Sequence, residues 1–417
     1  MINFKNLDFR SYAVISLLVL WISTTFSIAL MEISFVCALV FWVMWRINAS
    51  LTPEVKSGGR QIKPRGLLRV DWALWIPLAL FFAAVLVSWI FSEFPKQSFR
   101  GFFKVLKPIL VFIMAADLFR DSRSMKRFGG IFLATFLLVT IDCSIQYAFG
   151  KDLLRGFAAE HSTAGIRLVG PFGNFAKLAT YLVLVTPVFL GRFLGDLRAP
   201  GSHKKSLYAL GLALSGLLLL YLTRCRGPVV ALVASLGILA LYKRWFKVLG
   251  LGLIVFLAVI AMSPRHVIIH QDAEGKEQSI VERFELWKRA LHVIEAKPLT
   301  GTGINTYNVA HEKYDKTQNW RVRGYYAHNG YLQLAAEIGI PGVIFFLVFI
   351  AMYFRRVLAG IRDVRGSPEE YTRLGFLAGI LAFLIYAAFD NNLQSPPSLM
   401  FFWFSLGALL ARVRQGA

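Results

Sequence analysis

His328 sits in the stretch Arg323-Gly-Tyr-Tyr-Ala-His-Asn-Gly-Tyr-Leu-Gln333. Histidine is the side chain whose ordinary pKa, about 6.5, suits proton transfer near neutrality. A base there can deprotonate a sugar hydroxyl, and Tyr325 and Tyr326 offer flat faces to sugar rings. A single histidine at a helix edge can equally be structural, and Asn329 can cap a helix instead of touching a ligand. Glu337 lies about two and a half turns on, too far along a helix to orient His328. The second element is arginine. Arg224 and Arg226 share the turn Tyr221-Leu-Thr-Arg-Cys-Arg-Gly-Pro228, and Arg167 and Arg283 lie in other polar gaps. Guanidinium groups are always charged and grip phosphate oxygens with a planar fork. An arginine at a membrane edge can also snorkel to headgroups, but two within three residues beside Gly227-Pro228 favour an anion site. Arg283 and Trp287, four residues apart, share a helix face.

Metal and nucleotide chemistry find little support. Asp272-Ala-Glu274 lies in a polar loop, and His266 and His270 lack a glutamate at zinc-protease spacing. No phosphate-binding glycine loop stands between a strand and a helix. No cofactor and no resident metal are expected.

The surrounding chain is membrane-like. Of its 417 residues 56% are hydrophobic and 17% charged, against roughly 45–50% and about 25% in soluble domains. Apolar blocks long enough to cross a bilayer predict about twelve spans, at 12–29, 30–46, 72–92, 101–119, 128–149, 173–194, 206–223, 228–243, 246–262, 335–354, 373–389 and 396–411. The expected fold class is therefore an all-α polytopic membrane protein, one integral domain over 1–417. A large polar loop, 263–334, is inserted between the ninth and tenth spans. With both termini in the cytoplasm, the short loops rich in Lys and Arg fall inside. The net charge of +22 then reflects topology rather than nucleic acid. Arg100, Arg167, Arg224 and Arg226 remain on the outer side, where a basic residue gains nothing from topology. Within the large loop, 280–296 reads as an amphipathic helix with Val281, Phe284, Trp287, Leu291 and Ile294 on its apolar stripe; Pro298, Gly301 and Gly303 end it. Gly339, Pro341 and Gly342 interrupt the tenth span, as tolerated where a helix lines a polar cavity. Asp390, at another outer edge, is placed to pair with an arginine or orient the histidine. Cys37 and Cys143 read as packing residues, Cys225 has no evident partner, and no cleavable signal peptide is evident.

Taken together, these motifs resemble the bacterial O-antigen ligase family. Arg167-Leu-Val-Gly-Pro-Phe-Gly-Asn174 is similar to its Arg-x-x-Gly-x-x-x-Asn stretch. Thr223-Arg-Cys-Arg-Gly227 is similar to its Ser-Arg-Gly segment, with Cys225 in place of the serine. Arg283-x-x-x-Trp287 followed by Pro298-Leu-x-Gly301-x-Gly303 is similar to its outer-loop helix and exit. His328-Asn-x-x-Leu332 with Glu337-x-Gly339 is similar to its histidine motif. The resemblance covers roughly 160–345. It implies a metal-independent, inverting glycosyltransferase of the inner membrane, in a fold related to the C-type glycosyltransferases, with its active site facing the periplasm. The implied donor is an O-antigen glycan on undecaprenyl diphosphate, and the implied acceptor is a hydroxyl of lipid A–core. The family's essential histidine maps to His328 and its essential arginines to Arg226 and Arg283. Arg224, Arg167, Asn174, Trp287, Tyr325, Tyr326, Asn329 and Asp390 are the accompanying substrate-binding candidates.

Three alternatives stay open. An O-antigen polymerase would use the same donor and a second lipid-linked glycan as acceptor. A protein O-oligosaccharyltransferase usually carries a further C-terminal region, and none is evident after the last span. An anionic-lipid transporter would want charges near the midplane and symmetric halves, which the sequence does not offer.

Overall fold

The computed structural model describes residues 8–51, 56–57, 60–61, 72–162, 165–246, 250, 278–316 and 326–413. Tyr325, the ninth expected span, and the histidine and acidic metal candidates of 266–274 lie outside them. The described chain is helical: α1 (Phe9–Ser23), α2 (Ile28–Leu51), α3 (Trp72–Ile90), α4 (Pro95–Leu118), α5 (Ser122–Phe149), α6 (Phe175–Arg198), α7 (His203–Leu222), α8 (Arg226–Tyr242), α9 (Gln278–Ala296), α10 (Tyr307–Tyr314), α11 (Gly330–Arg362), α12 (Pro368–Tyr386) and α13 (Pro396–Val413). Seven of these, α2, α3, α5, α6, α7, α11 and α13, are long and apolar enough to cross a membrane, and α1 and α8 are shorter apolar helices. A multi-pass, all-α membrane protein is what this supports. Two short antiparallel hairpins, one pairing Glu160–Ser162 with Gly165–Arg167, are the strands described.

Several boundaries differ from the apolar blocks. α4 starts at Pro95, ahead of the expected 101, because its proline opens a first turn rich in polar residues. The tenth expected span, 335–354, lies within α11, which runs from Gly330 to Arg362 with a break at Gly339.

Helices α6 and α12 pack along one another through facing glycines. A Cβ at Gly191 would meet the Tyr371 carbonyl oxygen at 2.1 Å, and one at Gly379 the Leu184 carbonyl oxygen at 2.2 Å. Gly195 and Gly375 complete two opposed small-xxx-small pairs at the same contact. α6 and α13 are mostly enclosed by other helices, whereas α2, α3 and α7 are mostly on the periphery. The α6–α12 contact holds the C-terminal end of α12, and therefore the 386–395 turn, against the core.

The two ends of the bundle differ in charge. At one end acids are neutralised by bases. Asp117 pairs with Arg46, Glu370 with Lys243, Glu369 with Arg373 and Arg412, and Arg192 Nε lies 2.8 Å from Asp196. The other end carries the polar turns described next.

Candidate functional site

The break in α11 is built by the segment that follows α9. Gly339 has φ +77° and ψ 166°, backbone that glycine alone adopts readily. The break leaves carbonyls without helical partners, and the 298–303 loop supplies them. Thr302 N–H donates to Ala336 O (3.0 Å), Gly303 N–H to Glu337 O (3.0 Å), and Ile340 N–H to Pro298 O (2.8 Å). The Glu337 carboxylate accepts from Asn305 N–H (2.8 Å), Tyr307 N–H (3.3 Å) and Gln333 Nε2 (3.2 Å). Pro298-x-x-Gly301-x-Gly303 and Glu337-x-Gly339 are thus one structural joint. Glu337 is spent on backbone and does not face His328.

Eleven residues before that break, the chain enters α11 through His328 and Asn329. The Asn329 carboxamide oxygen accepts from Tyr331 and Leu332 N–H (3.0 and 3.1 Å), so it caps the helix. Gly330 N–H donates to Ala387 O (2.7 Å) and Asp390 O (3.1 Å). This ties the helix start to the turn after α12 and sets His328 Nδ1 3.7 Å from Asp390 Oδ1. His328 has φ +47°, a left-handed conformation uncommon outside glycine that clusters at functional sites. It remains open to solvent (39% exposed) beside the more buried Asp390 (20%). Burial alone would raise the Asp390 pKa, but the facing His328, the Tyr386 hydroxyl and the Asn391 N–H (2.8 Å) hold it below the ordinary carboxylate value. An anion facing the imidazole suits a base that gains charge as it takes a proton.

The turn between α7 and α8 approaches the same acid. Gly227 packs on Tyr386, where a Cβ would lie 3.0 Å from the ring. Cys225 precedes α8. Burial pushes its thiol pKa up to about 11, with Asp390 adding to the rise and Tyr386, Arg167 and Arg283 opposing it. The thiol is therefore neutral. Leu168 N–H donates to Leu222 O (3.0 Å), which sets Arg167 beside the Arg224 turn. The Gln146 carboxamide oxygen accepts from Val169 and Gly170 N–H (3.0 and 2.9 Å) and pins the same segment. Arg167 lies 4.1 Å from the Phe175 ring centroid and 3.9 Å from the Glu160 carboxylate. Arg224, also left-handed (φ +54°), lies 4.5 Å from the Tyr221 ring centroid. The Nε of each is buried without a hydrogen-bond partner among the described residues. Arg226 opens α8.

The remaining expectations divide. Asn174 caps α6, its oxygen accepting from Ala176 and Lys177 N–H (3.0 and 3.1 Å). Tyr326 is exposed. Trp287 is half-buried, its indole N–H is unpartnered among the described residues, and Phe284 meets it edge-on at 5.4 Å. The apolar stripe read for α9 is corrected. Leu286, Ala290, Val293 and Ile294 are buried with Arg289, whereas Phe284 and Leu291 are exposed. Arg289 enters the buried face because Asp315, 2.8 Å away, neutralises it. That pair joins α9 to the end of α10 and has no local signature in the sequence.

Residues 210–347 match the model of the O-antigen ligase family, which bears out the family resemblance; three of the four motifs lie within the matched residues and Arg167–Asn174 lies outside them. The chain is 24% identical to the "Exopolysaccharide production protein ExoQ" of Rhizobium meliloti, over 82% of this chain and 78% of that one. It is also 24% identical to a protein of Rickettsia conorii that bears the provisional name polysaccharide ligase, over 75% of this chain and 74% of that one. A similarly named protein of Rickettsia felis is 24% identical over 73% of this chain and 75% of its own length. These likenesses support a glycosyl-transferring membrane enzyme of the ligase or polymerase type.

Proposed function

We propose, for a chain whose residues 210–347 match the O-antigen ligase family, that it transfers a glycan from undecaprenyl diphosphate to a hydroxyl of lipid A–core at the periplasmic face of the inner membrane. The observation that carries this is that the turn bearing Arg224 and Arg226 packs through Gly227 on Tyr386, whose hydroxyl donates to Asp390 beside His328, while the Leu168–Leu222 hydrogen bond holds Arg167 next to that turn. His328 takes the proton of the acceptor hydroxyl, and Asp390 steadies the imidazolium that forms. The hydroxyl oxygen attacks the anomeric carbon as the bond to the diphosphate breaks, inverting that centre. Arg226 and Arg283, with Arg224 and Arg167, hold the diphosphate and offset the charge it gains as it leaves. The donor brings its own activation, so the step needs no nucleotide and no resident metal. Tyr326, Tyr325 and Trp287 offer ring faces to the sugars. Asn174 and Asn329 position the segments that carry Arg167 and His328. Twelve spans with both termini in the cytoplasm, and the 263–334 loop on the periplasmic side, complete the arrangement.

The relative named for exopolysaccharide production favours keeping one second reading, a polymerase with a lipid-linked glycan as acceptor. One assay separates the two. Purified protein in liposomes receives undecaprenyl-diphosphate glycan and lipid A–core, with EDTA and without nucleotide, beside His328→Ala. Glycan on lipid A–core, lost in the variant, is expected. Longer lipid-linked glycan in its place would mean polymerisation. Neither product from folded protein would refute both.

A further inference from the structure

A transfer between two lipid-borne substrates needs two seats at the membrane, and the arginine wall of α6–α8 provides one. The other flank of the 387–395 turn is basic as well. Lys96, Arg100, Lys104 and Lys107 recur at spacings of four, four and three along α4, so they share one face. Lys107 is neutralised by Glu32, and Lys104 Nζ donates to Asn305 Oδ1 (3.1 Å). Lys96 and Arg100 are exposed, with no carboxylate at ion-pair distance among the described residues. Of the neighbouring acids, Glu93 is already held by Lys297 (3.3 Å), Lys313 (2.8 Å) and the Tyr314 hydroxyl, and Glu337, whose charge acts on Lys104, accepts from the N–H groups of Asn305 and Tyr307.

Below them a cleft is lined by Lys104, Asn305, Leu334, Leu393, Gln394 and Trp403. The Gln394 amide nitrogen is buried there without a partner among the described residues. The cleft encloses about 30 Å³, room for water but not for a phosphate, so an anion must sit at its mouth. Leu393 packs on Gly330, which puts this cleft behind the turn that carries Asp390. Phe99 and Phe103 are exposed on the same helix, as suits contact with acyl chains.

We propose that Lys96, Arg100 and Lys104 seat a phosphate group of the acceptor glycolipid, on the flank opposite the donor's arginines. The acceptor is the better occupant than the donor, because the donor's diphosphate already has the arginine wall. This rests on the transfer reading above.

The test is equilibrium binding of full-length protein, in neutral-lipid nanodiscs, to lipid A–core and to the same lipid with its phosphates removed. Wild type, Lys96→Ala/Arg100→Gln, Lys104→Gln and His328→Ala are compared. Lys96 and Arg100 are exposed, so their substitution should leave the packing intact, and Lys104→Gln keeps a donor for Asn305. The double variant is expected to bind the phosphorylated lipid about tenfold more weakly, the dephosphorylated lipid unchanged, and the donor unchanged. In transfer its KM for the acceptor rises while kcat holds. Unchanged affinity, an equal loss for both forms of the acceptor, or an equal loss for phosphatidylglycerol would overturn the proposal. Phosphate-dependent binding by a wild-type protein that transfers nothing would leave the seat standing and remove the transfer reading. Normal transfer with normal KM in the Lys96→Ala/Arg100→Gln and Lys104→Gln variants, lost in His328→Ala, would do the reverse.

Discussion

Replacing Asp390 by Asn removes the negative charge that faces His328 and leaves the side-chain volume nearly unchanged. The charged atoms stand 3.7 Å apart. At that distance two unit charges interact by about 4–5 kcal/mol at an effective dielectric of about 20, and by about 1 kcal/mol in water. His328 is 39% exposed and Asp390 20%, so solvent screens the pair toward the lower figure, and about 2 kcal/mol is the working value. If the imidazole becomes charged only in the transition state, that energy appears in kcat, as a loss of about 30-fold, with KM little changed. His328→Ala should cost more, about 10²–10⁴-fold, because the proton acceptor itself is gone. The double variant should then be no worse than His328→Ala, since Asp390 acts through the histidine. The assay is initial-rate transfer from lipid-linked glycan at saturating acceptor, with thermal unfolding as a control, because Asp390 also accepts from Tyr386. Multiplicative losses in the double variant, or full activity in Asp390→Asn, would refute the argument that the carboxylate steadies a charged His328.

Gly339→Ala would place a Cβ 2.2 Å from Leu299 O in a backbone region nearly closed to alanine. It should lower thermal stability by roughly 1–3 kcal/mol or more and abolish transfer, whereas Gly129→Ala, whose Cβ meets nothing within 4 Å, should not lower the unfolding midpoint. Arg289→Met removes the guanidinium that faces the largely enclosed Asp315 and should open the 278–316 segment by up to about 3–5 kcal/mol. Hydrogen exchange reads this, and Arg289→Met/Asp315→Leu should recover most of the protection. The third concerns His311, fully buried on α10 with Nε2 unpartnered among the described residues and its pKa held down by burial. Below the ordinary imidazole value the unfolded segment binds the proton more readily than the folded one, so the stability is present above that value and is lost as pH falls through the depressed pKa. Protection in α10, taken relative to the intrinsic exchange rate at each pH, should therefore fall between neutral and mildly acidic pH in wild type and stay level in His311→Gln.

How far these elements were legible depended on whether their cause was local. Most helices follow from apolar runs: eleven of the thirteen described fall on eleven of the twelve expected segments, and α9 and α10 lie outside them. The start of α4 was misplaced because Lys96, Arg100 and Lys104 interrupt its apolar run, and charge in a first turn hides a helix from a hydropathy reading. The glycine pairs 191/195 and 375/379 stand in plain view, but that they face each other depends on which helices pack, which spacing does not say. The stripe of α9 was misassigned for a similar reason. Periodicity ranks Phe284 and Leu291 as inward and Arg289 as outward, and only a distant carboxylate, Asp315, makes the arginine a core residue. In the candidate site, residue chemistry was enough to single out His328 and Arg224, while the His328–Asp390 pairing depends on a non-local contact, Gly330 against the 387–390 turn. Glu337 shows the limit of motif reading, since a carboxylate in a catalytic-looking motif turns out to hold a loop.

The excess of positive charge separates once partners are known. Arg46, Lys243, Arg373 and Arg412 each meet a buried or half-buried carboxylate, and their cost in a low-dielectric setting is offset within the protein. These residues set orientation and hold the helices together, and they predict nothing about a ligand. Arg224 is held instead by a ring face, which orients a guanidinium without cancelling its charge, and Arg167 adds to its own ring contact only a long, solvent-exposed pairing with Glu160 at 3.9 Å. Each has a buried Nε unpartnered among the described residues, a cost that a phosphate oxygen would remove. The same reasoning picks Lys96 and Arg100 out of α4 and leaves Lys107 behind, because Glu32 already answers it. Cations at the His328 end that have no carboxylate, or only an exposed one at the edge of ion-pair distance, are therefore the ones expected to change substrate affinity when neutralised, and the closely paired ones are expected to change stability first.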